Sequence, residues 1–232
     1  MYHNLISVIA VWLTISLYAG ASEKVFTKEE VLAAVNVINV DISVKDTLSF
    51  CKRRVIESYN ASEFSQYFWD SSNFKVISVA NNIQKTITNE ELSEIQIKRQ
   101  KDKSVFLQKM NNSSLPYLNN YCTKVIGSVA KNNLSIRSML PSDYSILQTH
   151  VPNTDQTIIK DQEIDAEVGC VKGQFNNGQR NLKKAKSLCS CMVQTVKEAS
   201  SNNQGTNFFS EIANGTPSKA ALQAIKKAQN NC

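Results

Sequence analysis

Residues 178–199 read GQRNLKKAKSLCSCMVQTVKEA, and their spacing decides the fold class. Leu182, Ala185, Cys189, Val193 and Val196 recur at three- and four-residue steps, the period of one helical face. At about 100° per residue, Cys191 lies roughly 200° round the helix from Cys189, near the opposite, lysine-bearing side. Two sulfurs so placed do not easily serve one partner, nor bond each other without distorting the helix. Cys189 points toward whatever covers the apolar face. Cys191 points outward and needs a covering segment of its own.

The other cysteines supply both covers. The chain has six in all, and in an oxidising compartment six cysteines make three disulfides, for which sequence alone permits 15 pairings. A helix ending near Cys170 precedes the Cys189 face, and the carboxyl-terminal Cys232 is free to fold over Cys191. The expected pairs are Cys170–Cys189, Cys191–Cys232 and, by remainder, Cys51–Cys122. Two sharper readings of these residues fail. A redox-active Cys189-Ser190-Cys191 dithiol needs a sensitised thiolate, commonly at a helix N-terminus, and these residues sit mid-helix. A zinc site from Cys170, Cys189, Cys191 and Cys232 lacks the usual C-x₂₋₄-C pairs.

Helical signals continue outward along the chain. Only seven Gly and four Pro occur in 232 residues, and the Asn-Gly pairs at Asn177-Gly178 and Asn214-Gly215 join no alternating runs. Thr27 with Glu30 forms a capping-box pattern ahead of Val31, Leu32 and Val35. Asp46 to Tyr59 carries Leu48, Cys51, Val55 and Tyr59 on one face. Further starts stand at Asn89, at Ser114, at Asn153 or Thr154, and at Thr216-Pro217, where an N-cap residue precedes Pro. Residues 74–79 (FKVISV) are short enough to be a strand, and the segment 135–152, with Pro141 and Pro152, is expected to be irregular. The fold expected is therefore all-α: a disulfide-stapled multi-helix bundle, arranged as two helical clusters over 22–134 and 153–232 with 135–152 as linker.

The amino terminus gives the address. Leu5 to Tyr18 is an apolar run too short to span a bilayer comfortably, which takes about 20 residues. Ala19-Gly20-Ala21 then offers the small-x-small pattern of a signal-peptidase site. Residues 1–21 are expected to be a cleaved signal peptide, leaving no transmembrane segment and directing the protein to the periplasm or the extracellular space. Cleavage removes His3, one of only two His, and leaves His150 as the sole imidazole. Most His-based metal sites and two-His mechanisms go with it.

The formal charge of +6 suits attraction to anionic surfaces and falls short of a nucleic-acid binder's signature. Arg180, Lys183, Lys184 and Lys186 form the densest basic cluster and are the candidate patch for an anionic partner. Asp161, Glu163, Asp165 and Glu167 alternate before Cys170, but a calcium loop would want Gly at the sixth position and Glu at the twelfth, where Ala166 and Lys172 stand. His150 with Asp143 or Asp155 and a serine could be drawn as a triad, yet no G-x-S-x-G turn supports it. The sequons at Asn60, Asn111, Asn112, Asn133 and Asn214 are about as many as chance gives in a chain this rich in Asn, Ser and Thr.

No cofactor, metal or catalytic residue is assigned. The function expected is that of an exported helical binding or structural accessory protein, its partner a protein or an anionic surface. One alternative is a carrier of a small lipophile, lined by residues such as Phe64, Phe68 and Trp69. Another is an enzyme using a carboxylate pair within Asp161–Glu167.

Overall fold

The computed structural model describes residues 26–55, 59–131, 133–153, 155–202 and 207–232. The signal peptide expected at 1–21, with His3, lies outside them. Among the described residues there are ten helices and no strand. They are α1 (Lys28–Arg54), α2 (Tyr59–Gln84), α3 (Asn89–Asn111), α4 (Leu115–Ala130), α5 (Ile136–Met139), α6 (Pro141–Gln148), α7 (Asp155–Asn176), α8 (Leu182–Ser201), α9 (Phe208–Ala213) and α10 (Lys219–Asn231). The protein is an all-α bundle stapled by disulfides. No helix among the described residues is long and apolar enough to cross a membrane.

Thr27 starts α1 as expected. Its hydroxyl accepts from the Glu30 amide at 3.2 Å, while its own amide donates to Glu30 Oε2 at 2.6 Å. The helix then continues for 27 residues, about 40 Å. It passes through Asp46, the start expected for a separate helical face, and ends at Arg54; Tyr59 belongs to α2. Nothing between Thr27 and Asp46 breaks the helix, since the segment holds neither Gly nor Pro.

α2 is the central element, because two adjoining faces of it enter two cores. Trp69, Val76, Val79, Ala80 and Ile83 pack with α1, α4, α5 and α6 around Leu48, Cys51, Cys122, Ile136 and Leu147. Phe64 and Phe68 pack with Val171, Ala185 and Cys189 of α7 and α8. A third core, beyond, gathers Val196, Phe208, Phe209, Ala221, Ala224 and Ala228 from α8, α9 and α10.

Two expectations are corrected. Residues 74–79 lie within α2 and form no strand: Val76 is 2% exposed and Val79 9%, whereas Phe74 is 57% exposed. Their burial follows the helical step through Ala80 and Ile83, not alternation. The segment 135–152 is no irregular linker either, since it holds α5 and α6 packed on α1, with Ile136 and Leu147 fully buried. Pro141 is the first residue of α6, a position where a missing N–H costs nothing. Buried Asn73 secures the entry, accepting from the Ile136 amide at 3.0 Å.

Smaller shifts concern helix ends. α8 starts at Leu182 behind an Asn181 cap, whose side chain accepts from the Lys184 amide at 2.9 Å. α10 is capped by Ser218 rather than by Thr216. Gly178, at φ +93°, makes the α7–α8 turn in the left-handed region that glycine adopts freely.

Three disulfides join Cys51–Cys122, Cys170–Cys189 and Cys191–Cys232, with Cα separations of 5.5, 5.7 and 5.9 Å. The last two are the pairs expected from the two faces of α8, and the first is the remainder.

Candidate functional site

The basic cluster lies where α8 begins, beside the start of α2. Arg180 stands in the α7–α8 turn with its guanidinium 4.9 Å from the centre of the Phe175 ring. It also donates to the Phe175 carbonyl at 3.0 Å. Phe175 is itself anchored in the core, 4.7 Å from Phe64 between ring centres. An exposed arginine held on an aromatic face loses less entropy on binding an anion than a free one would.

Arg180 and Lys183 line an open depression with Asn60, Glu63, Gln179 and Asn181. Glu63 brings a carboxylate there, but Lys52 holds it at 2.8 Å. Lys186 lies one turn further along α8, its ammonium 4.9 Å from the centre of the Tyr67 ring. Lys184 does not join them. At about 100° per residue it lies about 100° round the helix from Lys183 and about 160° from Lys186. Of the four candidate residues, Arg180 and Lys183 thus line one depression, Lys186 stands a turn further on, and Lys184 lies nearly opposite Lys186 on the helix.

Beneath Lys186 is a polar joint that no sequence pattern announces. Tyr67 of α2 donates to Glu167 Oε1 at 3.2 Å, and Ser190 of α8 donates to Glu167 Oε2 at 3.1 Å. One carboxylate of α7 thereby fastens three helices over the Cys170–Cys189 bond. Burial, and then the charge of Glu167, push the Tyr67 phenol up from its ordinary value. The phenol stays protonated and donates.

The other acidic residues of α7 are separated in the same manner. Asp161 pairs with Lys75 of α2, and Glu163 with Lys197 of α8 at 3.0 Å. Asp161, Glu163 and Glu167 thus face different partners. Among the described residues no group of three His, Cys, Asp or Glu could hold a metal ion.

His150 lies just past the end of α6. Its ring nitrogen Nε2 meets Glu30 Oε1, and the Phe26 ring stands edge-on at 5.7 Å. Asp143, drawn above as a triad partner, instead accepts from Asn36 at 3.2 Å. The side chain of Asp155 lies outside those described.

The three aromatics considered for a lipophile cavity are packed. Phe64 is 0% exposed and Phe68 4%, both in contact with Phe175. Trp69 donates its indole N–H to Asp41 at 2.8 Å. No protein-family model matches the chain, and neither a curated protein nor a solved structure matches it.

Proposed function

We propose that this protein is an exported helical binding module whose partner is anionic, engaged through Arg180, Lys183 and Lys186. The observation that carries the reading is the anchoring of exposed cations on aromatic rings, Arg180 on Phe175 and Lys186 on Tyr67. Rings rooted in the core hold both charges at a fixed place on the surface. Three disulfides support export, because such bonds persist in oxidising compartments.

The alternatives draw less support. A carrier would present Phe64, Phe68 and Trp69 to a ligand, yet their neighbours already occupy them. An enzyme built on the α7 carboxylates would need two of them facing one substrate, and Asp161, Glu163 and Glu167 are already engaged by side chains of α2 and α8. Either role would have to reside elsewhere in the molecule.

The test uses the oxidised protein on an immobilised sulfated polysaccharide. Retention at low salt and release as salt rises are expected, since ionic strength screens exposed charge pairs. Passage without retention at low salt would remove the anionic partner. Sequencing the amino terminus of the natural protein tests export separately, with Ser22 the expected first residue.

A further inference from the structure

The most exposed long helix is α3, and its two sides differ in kind. Leu92, Ile95, Arg99, Phe106 and Met110 lie toward the bundle. Met110 is 2% exposed, Phe106 meets Phe50 edge-on at 5.8 Å, Arg99 bonds to Asn39, and Lys103 pairs with Asp46 at 2.9 Å. These contacts fix how the helix is turned. At about 100° per residue the opposite side carries Glu90, Glu94, Ile97, Lys101 and Gln108, all of them exposed. Ile97 is 65% exposed, and Val105, at the margin of the same side, is 58% exposed.

Charge along this side has a definite order. Glu90 and Glu94 precede Ile97, and Lys101 follows it. Reversed about Ile97, the helix exchanges the places of Glu94 and Lys101. Two copies laid antiparallel, with Ile97 near a two-fold axis, set Glu94 of each against Lys101 of the other. A parallel arrangement would set Glu94 beside Glu94.

We propose that the outer side of α3 pairs with the same side of a second copy of this chain, antiparallel across a two-fold axis. The contact is isologous, so it closes at the dimer. With only Ile97 and Val105 as apolar groups it falls at the small end of specific interfaces. The dimer is therefore weak, dissociates on dilution and weakens as salt rises. It is independent of the anionic-partner reading, which uses α8.

Sedimentation equilibrium of the oxidised protein, in low salt up to about 1 mM, is the test. The mass is expected to rise from monomer toward dimer. Ile97→Lys should leave monomer throughout, and Glu94→Lys should weaken association about tenfold or more. The double variant Glu94→Lys/Lys101→Glu should regain most of the loss, because the swap preserves opposite charges across the axis. All three positions are exposed, so thermal melting should be unchanged and confirm folding. A monomer at every concentration would overturn the proposal. So would a dimer indifferent to Ile97→Lys, or a double variant no better than Glu94→Lys alone.

Discussion

Cys189 and Cys191 stand two residues apart on α8 and face different parts of the molecule. Cys189 is 0% exposed and bonded to Cys170 of α7. Cys191 is exposed and bonded to Cys232, itself exposed at the carboxyl end of α10. One helix is therefore stapled inward to α7 and outward to α10, and α10 lies against α8 through Ala221, Ala224 and Ala228.

Access decides which bond exchanges first, because a reductant's thiolate must reach a sulfur. Under mild dithiol reduction and alkylation, mass spectrometry should find Cys191 and Cys232 labelled before any other cysteine. Cys51 and Cys122, both 0% exposed, should be labelled last. Early labelling of Cys51 would contradict the packing of α1 on α4.

The Cys51–Cys122 bond closes a loop with a sequence separation of 71. In the chain-entropy model that constrains the unfolded chain by about 4 kcal/mol. Replacing both residues with alanine should lower the denaturant midpoint accordingly, less any cost or relief from repacking. A loss below about 1 kcal/mol would mean that the unfolded chain is already compact in this region.

Asp41 lies 7% exposed between α1 and α2. It accepts from Trp69 at 2.8 Å and pairs with Lys45 at 3.0 Å, and Lys45 also reaches Asp70 at 3.0 Å. Asp41→Ala would leave the buried indole N–H without its acceptor and strip Lys45 of one partner. The expected cost is about 3 kcal/mol by urea unfolding. Asp41→Asn keeps an acceptor and should cost less; equal losses would show that charge, not the indole bond, dominates.

Glu30 joins the start of α1 to the end of α6. The Thr27 amide above all holds its carboxyl below the ordinary value; burial opposes it, and the His150 ring and the Thr27 hydroxyl add to the lowering. A carboxylate lowered in the folded state adds stability above its unfolded pKa, near 4.5. That contribution is lost as pH falls through the lower folded value. Glu30→Gln preserves a capping side chain but not the charge. Its thermal midpoint should fall below wild type above the unfolded value and converge with it as pH falls through the lower folded one. A gap constant over that range would contradict the assignment.

Much of this architecture was legible from spacing. Scarce glycine and proline, the Thr27–Glu30 box and the apolar face of residues 182–196 point to helices, and the two directions of Cys189 and Cys191 point to their partners. Less legible was whatever depends on neighbours distant in sequence. Pro141 reads as a breaker until it is seen to begin a helix. The run at 74–79 reads as a strand in isolation, and only the longer step through Val76, Ala80 and Ile83 marks it as helical. Nothing near Glu167 foretells Tyr67, a hundred residues away. The basic cluster was legible as composition, but the division between Lys184 and the other three needed the register of α8.

That division supplies the most direct test of the proposed anionic partner. Salt elution from a sulfated polysaccharide can be compared for Arg180→Glu, Lys183→Glu, Lys186→Glu and Lys184→Glu, each with the same change in net charge. The first three should elute at markedly lower salt than wild type, and Lys184→Glu should stay close to it. Equal shifts for all four would contradict the account, since binding would then follow net charge and not the side of α8 on which Arg180, Lys183 and Lys186 are held.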